Sequence, residues 1–410
     1  MALIVVKFGG TSVADTQRIT SAAEKVAREV ERGNQVVVVV SAMSGVTNQL
    51  VGYCDEISNT YDVREYDVVV SSGEQITAGL MAMALQKQGI EARSWLGWQV
   101  AIKTDAAHAK ARISDIDTQS LKDDLNGGRV AIVPGFQGVT DNNRISTLGR
   151  GGSDTTAVAL AAALGADRCD IYTDVDGVYT TDPRVVENAQ KIKHISFEEM
   201  IELASLGAKV LQTRSVEIAM KHNINLQVLS SFEDHIGSDL PGTLVVKEDD
   251  IMEKKPVSGV AYMRDEAKVT LLDVPDVPGV AARIFTPLSD AKINVDMIVQ
   301  NVAPDGQATD LTFTISRSDL NNTLEVIGNL GDLNDVQLLT NNNVAKVSVV
   351  GVGMISNHGV ASKMFETLAE KGINIHVIST SEIKISVLID EEYVELAVRA
   401  LHSAYGLETE

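Results

Sequence analysis

The stretch Leu148-Gly-Arg-Gly-Gly-Ser-Asp-Thr-Thr156 decides the organisation of the chain, and it runs directly into the alanine-rich segment Ala157–Leu164. Its glycines let the backbone approach a ligand and adopt positive φ at little cost. Ser153 or Asp154 is a suitable N-cap for a following helix, whose first free N–H groups would bind an anion. Arg150 adds a bidentate clamp for a carboxylate or phosphate. The stretch therefore predicts an anion-binding loop at a helix N-terminus, with an ordinary loop and cap as the alternative.

Composition limits the classes of function that the chain can have. Its 410 residues suggest two or three domains. With 44% hydrophobic but only 4% aromatic residues, the core is expected to consist of Val, Ile, Leu and Ala. A formal net charge of −21 argues against nucleic acid and anionic membranes as partners. It does not argue against anionic small molecules, which are bound by local groups.

Targeting, membrane and redox signals are weak in this sequence. The first residues lack a basic region followed by a cleavage site, and no apolar run approaches the ~20 residues of a membrane span. Cys54 and Cys169 form neither a disulfide framework nor a metal-binding spacing. We therefore expect a cytoplasmic protein that does not enter a membrane.

Strands and helices alternate through the first part of the chain. Apolar strands are predicted at residues 3–8, 36–40, 67–70, 129–134, 169–174 and 225–229, with helices at 19–32, 75–88, 153–164, 197–206 and 208–221. The unbroken valine run 36–40 is typical of a parallel strand that is covered on both faces. The pattern predicts an α/β unit.

Polar residues recur where these strands end. Lys7, Ser41, Glu74, Arg150 and Asp174 each lie at or just after the carboxyl end of a predicted strand. In open α/β sheets, ligands bind at that edge. The sequence therefore predicts one composite site rather than five unrelated loops.

Beyond a charged linker at residues 249–256 the chain contains an internal repeat. Gly279–Ile298 aligns without gaps with Gly359–Ile378, so that Phe285 matches Phe365. Each copy reads as strand, glycine loop, helix and strand, followed by a further strand. Two copies of a βαββαβ module are the natural interpretation.

The polar residues at the strand ends suit phosphoryl transfer. The sequence lacks a phosphate-binding Gly-x4-Gly-Lys-Ser/Thr motif, a protein-kinase signature and a zinc motif. Phosphoryl transfer needs positioning and charge neutralisation more than a covalent nucleophile. Lys7 would neutralise the phosphate, and the amides of Gly9 and Gly10 would hold its oxygens. Glu74 fits an ammonium group and Arg150 fits a carboxylate, which together suggest an amino acid as the acceptor.

Each of these residues also has a structural interpretation. Lys7 could face solvent, Glu74 could be an acid favoured by a helix dipole, and Asp174 with Asp176 could form a turn. Tyr179 and Arg184 could pack on their own loop, and Lys209 could be an exposed helix residue. Their convergence on one sheet edge favours the functional interpretation.

Six motifs, in this order, resemble those of the aspartate kinases. They are Lys7–Val13, Ser41–Asn48, Ser71–Gln75, Leu148–Asp154, Thr173–Arg184 and Gly207–Val210. The resemblance covers the whole chain, and the repeated C-terminal modules resemble ACT domains. It implies an amino-acid-kinase-type α/β sandwich with a mostly parallel central sheet, followed by two α+β ferredoxin-like ACT modules.

The resemblance also implies domain boundaries. We expect a catalytic domain at residues 1–248, a linker and strand at 249–263, and ACT modules at 264–340 and 341–410. Residues 257–263 are expected to pair with the second module. No fused homoserine dehydrogenase is expected to follow.

The resemblance assigns roles to particular residues. Catalysis would rest on Lys7 and Asp154, with Asp154 orienting Lys7. ATP would be held by Lys7, Gly9, Gly10, Ser41, Thr173, Asp174, Tyr179, Asp182, Arg184, Lys209 and Val210, and L-aspartate by Thr47, Glu74, Arg150, Gly151, Gly152 and Ser153. The product would be 4-phospho-L-aspartate, with Mg²⁺ bridging ATP oxygens through ligands that the sequence does not identify.

Regulation is implied by the ACT modules. Lysine, threonine or both would act as feedback effectors at Asp276, Gly279, Val280, Ala281, Gln300, Asn374 and Ile375. The modules imply a homo-oligomer or an assembly of two kinds of subunit, and Met252 raises the hypothesis of a separately translated regulatory subunit. The reaction would open the biosynthesis of lysine, threonine and methionine.

Two other interpretations compete with this one. A glutamate or acetylglutamate kinase is disfavoured by the tandem ACT modules and by the Lys7–Ser12 motif. A non-catalytic amino-acid sensor predicts the loss of Lys7, Glu74 or Arg150, and all three are present.

Overall fold

The computed structural model describes residues 1–58, 60–207, 210–234, 237, 241–251, 255–302, 308–331 and 336–409, with the side chain of Val302 outside the description. The chain divides into two compact units. The first comprises Met1–Val178 and Lys191–Glu253, and the second comprises Tyr179–Gln190 and Lys254–Glu410.

The first unit alternates strands and helices. Its strands are β1 Leu3–Phe8, β2 Gln35–Val40, β3 Ala92–Ser94, β4 Ile102–Thr104, β5 Ile113–Ile116, β6 Val130–Pro134, β7 Gln137–Thr140, β8 Ile145–Thr147, β9 Arg168–Thr173, β10 His194–Ser196, β11 Leu226–Ser230 and β12 Thr243–Val246. Its helices are α1 Thr16–Glu31, α2 Val46–Ile57, α3 Val63–Val70, α4 Ser72–Lys87, α5 Gln119–Asn126, α6 Gly152–Leu164, α7 Phe197–Ser205 and α8 Thr213–His222.

An eight-stranded sheet forms the centre of this unit. Its order is β10-β12-β11-β9-β1-β2-β6-β3, and the six strands from β11 to β3 are parallel to one another. A smaller sheet has the order β5-β4-β7-β8. The mostly parallel α/β architecture predicted from the sequence is confirmed.

The valine-rich strands are buried because helices cover both faces of the sheet. Val36–Val40 are all buried, as expected for a parallel strand. On one face, Ile4, Val6 and Phe8 pack with residues of α1 and α4 in a single apolar core. The carboxyl ends of β1, β2, β6 and β9 consequently meet at one edge.

The predicted strand at residues 67–70 is wrong, because these residues form the end of α3. Asp62 caps this helix by accepting a hydrogen bond from the Arg64 N–H group. Asp67 and Val70, three residues apart, face the interior, which suits a helix. A short apolar run does not distinguish a buried strand from a buried helix. Glu74 therefore lies in the first turn of α4 instead of following a strand.

Among the described residues, Val63–Lys87 is one helical stretch whose length and composition would allow it to cross a membrane. Half of its most apolar window is buried inside the protein, as in a core helix of a globular fold. The stretch also carries Asp67 and Glu74, whose side chains are buried in the first unit.

The second unit holds the repeated modules. Its strands are β13 Gly259–Pro275, β14 Val295–Val302, β15 Ala308–Ile315, β16 Gln337–Val350, β17 Val377–Thr380 and β18 Lys384–Asp390, and its helices are α9 Val280–Asp290, α10 Leu320–Gly328, α11 Val360–Glu370 and α12 Val394–Ala404. All six strands form one antiparallel sheet in the order β14-β15-β13-β16-β18-β17.

The repeat is visible in this sheet and its helices. Gly279 and Gly359 precede α9 and α11 with φ of 90° and 93°, a conformation that favours glycine. The central strands β13 and β16 are long and shared between the copies. Gly259–Met263 pair with Lys346–Val350, the part of β16 that also pairs with β18. The two predicted α+β modules are confirmed.

Candidate active site

A buried ion pair lies at the carboxyl edge of the central sheet. Lys7 is the penultimate residue of β1, and its Nζ atom lies 2.6 Å from Oδ1 of Asp154 in the first turn of α6. Both residues are only 8% exposed. A carboxylate is favourable in a first helical turn, where it faces the positive end of the helix dipole. The pair thus holds a lysine ammonium in a fixed position beside a helix N-terminus.

The glycine turn after β1 folds closely over this ammonium. The Gly9 N–H group donates to the Tyr172 carbonyl at 3.2 Å, and a Cβ atom on Gly9 would lie 3.3 Å from Lys7 Nζ. A Cβ atom on Gly10 would lie 3.2 Å from the Ala42 carbonyl oxygen. A side chain at either position would therefore crowd the lysine or the neighbouring loop.

Glu74 is connected to the same edge through the loop after β2. The Ser41 N–H group donates to the Phe8 carbonyl, and the Ala42 N–H group donates to Glu74 Oε1 at 3.1 Å. Glu74 is 4% exposed, and its Oε2 atom makes no hydrogen bond to any residue that the structure describes. Burial raises the pKa of this carboxyl to about 7, although the bond from Ala42 opposes the shift. A buried carboxylate oxygen without a partner suits a ligand ammonium group.

The loop before α6 uses glycine where the predicted cap was a polar side chain. The N-cap position is held by Gly151 with φ of 69°, and Ser153 and Asp154 lie inside the helix, so the capping prediction is wrong. The left-handed conformation explains the choice of residue. A Cβ atom at Gly151 would also lie 1.7 Å from Cγ of Gln212. Arg150 is exposed and forms no ion pair with any described residue, which leaves its guanidinium available to an anion.

The close packing at Gly151 gives a first test. Gly151→Ala is expected to destabilise the first unit by about 1–3 kcal/mol through backbone strain, and further through the clash with Gln212. Thermal unfolding measures this effect. Gly165→Ala is the matched control, because Gly165 ends the same helix with φ of 70° but has open space around its Cβ position. Equal destabilisation by the two variants would contradict the proposed steric constraint.

Several other predicted site residues lie near this edge. Thr173 ends β9 next to β1, and its hydroxyl donates to Asp174 Oδ1 at 3.1 Å. Thr47 is half-buried near the start of α2, which follows the loop after β2. Val210 is half-buried, whereas Lys209 and Met252 lie outside the described residues.

Three predicted nucleotide residues belong to the second unit. Tyr179 packs against the apolar core of the second module, and Asp182 pairs with Arg184 and accepts a hydrogen bond from the Tyr262 hydroxyl. Their segment, Tyr179–Gln190, follows β9 of the first unit in sequence, after residues 174–178. Their role in nucleotide binding stays a prediction.

The predicted effector residues lie mainly on the surface of the second unit. Asp276, Gly279, Ala281, Gln300 and Asn374 are exposed, and Ile375 is half-buried. Val280 is buried in the core of the first module, so only its backbone could contact a ligand.

The described residues contain no group of three or more His, Cys, Asp and Glu side chains that could hold a metal ion. None of the motifs that predicted the site contains Asp67, His108 or Arg214, whose hydrogen bonds surround the Arg150 loop. Their connection depends on contacts between distant segments, which no local motif indicates.

Comparison with known proteins agrees with this architecture. A model of the amino acid kinase family matches residues 2–230, and models of the ACT domain match residues 268–332 and 347–405. The chain is 57% identical over 410 residues to an aspartate kinase of Stutzerimonas stutzeri (strain A1501), which covers 100% of this chain and 98% of the relative. It is also 57% identical over 411 residues to an aspartokinase of Pseudomonas aeruginosa, with the same coverage.

A solved structure extends the similarity to three dimensions. The E. coli aspartokinase III in complex with aspartate and ADP (R-state) matches with a TM-score of 0.81 and 28% identity. The match covers 98% of this chain and 99% of that one. The resemblance inferred from the six motifs is therefore confirmed, and the chain belongs to the aspartate kinase family.

Proposed function

We propose that the protein transfers the γ-phosphoryl group of ATP to the side-chain carboxylate of L-aspartate, giving 4-phospho-L-aspartate and ADP. The observation that carries this proposal is the buried Lys7–Asp154 pair beneath the glycine turn. It lies at the edge where a buried Glu74 oxygen has no hydrogen-bond partner among the described residues. Its relatives are named aspartate kinases, and the E. coli aspartokinase III structure contains aspartate and ADP.

Charge neutralisation is the proposed role of the Lys7 group. In the reaction, a side-chain oxygen of aspartate attacks the γ-phosphorus, and the bond to the β-phosphate oxygen breaks to release ADP. The Lys7 ammonium would stabilise the negative charge on the phosphoryl oxygens, while Asp154 holds it in place and the Gly10 amide donates to them. The Gly9 amide, which was predicted to share this role, already donates to the Tyr172 carbonyl. Mg²⁺, which is expected to arrive with ATP, would neutralise further phosphate oxygens.

The acceptor would be held by opposite charges. Glu74 Oε2 would accept a hydrogen bond from the aspartate ammonium, and Arg150 would bind a carboxylate. The remaining contacts would come from Thr47, Gly151, Gly152 and Ser153. The nucleotide would contact Ser41, Thr173, Asp174, Tyr179, Asp182, Arg184, Lys209 and Val210.

The function is tested by following ADP release with MgATP and L-aspartate, with L-glutamate and N-acetyl-L-glutamate in parallel. Turnover with L-aspartate, but with neither of the other two acceptors, supports the proposal. Turnover with either of the other acceptors would assign a different amino acid kinase activity. Amino-acid binding without turnover would make the chain a sensor.

Feedback inhibition by lysine, threonine or both is the proposed role of the ACT modules. The E. coli aspartokinase III has also been solved in complex with lysine and aspartate (T-state), and that structure matches with a TM-score of 0.78 and 28% identity. We infer that the effector contacts are those predicted at the start of α9, at Gln300 in β14 and after α11. Titrating each amino acid into the assay, alone and in combination, identifies the effector. Activity that no amino acid alters would contradict this regulation.

The proposed cellular setting follows from the same reaction. The enzyme would act in the cytoplasm at the first step of lysine, threonine and methionine biosynthesis. It would assemble through its ACT modules as a homo-oligomer or with a second kind of subunit.

A further inference from the structure

A fully buried carboxylate collects hydrogen bonds from two distant segments of the first unit. Asp67 of α3 is 0% exposed. Its carboxylate accepts hydrogen bonds from the Thr147 hydroxyl at 2.6 Å, the Thr147 N–H group at 3.1 Å and the Ala109 N–H group at 3.2 Å. Nδ1 of His108 lies 2.7 Å from the same carboxylate. Such a cluster of donors fixes each segment strongly, because breaking it would leave a buried charge uncompensated.

Both segments border the loop that carries Arg150. Thr147 ends β8 and directly precedes Leu148. Ala109 has φ of 65°, which is uncommon for a residue with a side chain. Its carbonyl oxygen lies 3.2 Å from the position that a Cβ atom of Gly149 would occupy. Asp67 therefore holds a strained backbone against the first glycine of the loop.

A second set of bonds completes the base of this loop. Arg214 of α8 donates to the carbonyls of Leu148 and Ala111 at 3.2 and 3.1 Å. The Leu148 N–H group donates to the Phe136 carbonyl, and the Ala111 N–H group donates to the Thr147 carbonyl, both at 2.9 Å. The backbone before Arg150 is thus held from several directions.

The Arg150 side chain is exposed while the backbone before it is fixed, and this contrast indicates a function. The guanidinium forms no ion pair within the described part of the chain, although the backbone two residues earlier is fixed. A free guanidinium on a rigid base is preorganised for a ligand, so that little conformational entropy is lost on binding. The donors that Asp67 collects provide that rigidity.

We propose that Asp67, acting through His108 and Thr147, is a positioning residue that sets the affinity of the Arg150 loop for the acceptor carboxylate. This inference rests on the proposed function, since it takes L-aspartate as the ligand of Arg150. It assigns to Asp67 no contact with substrate. Loosening the network is expected to weaken acceptor binding and to leave ATP binding largely intact.

His108→Ala and Thr147→Val test the proposal, because each removes one side-chain donor and retains the Asp67 carboxylate. Asp67→Asn is a third variant, to be used where circular dichroism shows a native fold. We expect the KM for L-aspartate to rise about tenfold in each variant, with the KM for ATP changed by less than about twofold.

The matched control is Asp124→Asn. Asp124 of α5 is also a buried carboxylate with two partners, the Trp95 indole N–H group and Arg129. It lies beside the amino end of β6, away from the Arg150 loop, because the Arg129 N–H group donates to its carbonyl. Its substitution is expected to leave both KM values unchanged.

A double-mutant cycle separates positioning from a general loss of structure. In an Arg150→Ala background, His108→Ala is expected to add no further rise in the KM for L-aspartate, because the group that it positions is gone. An additive rise, an equal rise in both KM values or no rise would overturn the proposal. If the wild-type protein phosphorylates aspartate while any of these results is obtained, only this inference fails. A wild type without aspartate turnover overturns the proposed function, and this inference with it.

Discussion

Lys7→Met is expected to lower kcat with ATP and L-aspartate by about 10³-fold. The variant removes the ammonium that Asp154 holds at 2.6 Å beneath the glycine turn. Removing one preorganised group that stabilises transition-state charge typically costs 10²–10³-fold, and here a full positive charge is lost. Steady-state ADP release measures the effect.

The same substitution leaves Asp154 buried without its partner, so a loss of stability has to be separated from a loss of chemistry. Lys7→Met combined with Asp154→Asn is expected to recover the stability but not the activity. Lys25→Met is a control for removing a buried lysine, because Lys25 is 4% exposed on α1 and has no role in the proposed site. A Lys7→Met protein with near wild-type kcat would contradict the role given to Lys7.

Glu74→Gln is expected to lower kcat/KM for L-aspartate by about 10²-fold at pH 8, with a much smaller effect on the KM for ATP. Oε2 of Glu74, which has no hydrogen-bond partner in the described part of the chain, would be replaced by an uncharged amide group that cannot attract the substrate ammonium by charge. Glu65→Gln is the control, because Glu65 is an exposed carboxylate on the neighbouring helix α3.

The pKa of Glu74 also predicts a pH dependence. Since the carboxyl has a pKa of about 7 in the folded protein, it becomes protonated and neutral as the pH falls below that value. The wild-type kcat/KM for L-aspartate is therefore expected to fall by up to about tenfold per pH unit below pH 7. Glu74→Gln is expected not to show this fall in kcat/KM, because its side chain has no carboxyl group to protonate. An identical profile in the two proteins would contradict the assignment.

The contribution of Glu74 to the stability of the protein is expected to fall as the pH rises towards 7, which is opposite to the change in kcat/KM. Burial raises the pKa above its ordinary value of 4.5, so the folded state binds this proton more tightly than the unfolded state. The contribution of Glu74 to the folding free energy is greatest below about pH 4.5 and decreases by about 3 kcal/mol as the pH rises through about 7. Glu74→Gln is thus expected to gain melting temperature relative to the wild type between pH 5 and pH 8.

Local pattern was sufficient to predict much of the fold. The valine run of β2 and the strand before Gly9 have an apolar character that is typical of a strand covered on both faces. The repeat in the second unit was predicted from the gap-free alignment of Gly279–Ile298 with Gly359–Ile378. In the structure, the first glycine of each copy takes a left-handed conformation before α9 or α11.

Elsewhere, tertiary context decided the structure. Residues 67–70 have an apolar run that suits either a strand or a helix, and the Asp62 cap together with the burial of Asp67 favours the helix. The cap of α6 is a glycine because Gln212, a residue distant in sequence, occupies the space that a side chain would need.

In the candidate site, too, some features were predicted from the sequence and others depend on tertiary contacts. The resemblance to the aspartate kinases implied that Asp154 orients Lys7, and the structure places the two side chains in contact. The sequence motifs could not predict that the segment with Tyr179, Asp182 and Arg184 packs with the second unit. There, Thr180 shares a hydrogen bond with the buried His402. Such contacts join residues that are far apart in the chain, so no local pattern records them.

The most direct test of the central claim is to identify the phosphorylated product. The protein would be incubated with MgATP and L-aspartate in the presence of hydroxylamine, which traps an acyl phosphate as a hydroxamate, and the product identified by mass spectrometry. We expect the side-chain hydroxamate of aspartate, formed in proportion to ADP and absent with L-glutamate. The α-hydroxamate, a glutamate hydroxamate or ADP release without any hydroxamate would contradict the assignment of aspartate as the phosphoryl acceptor.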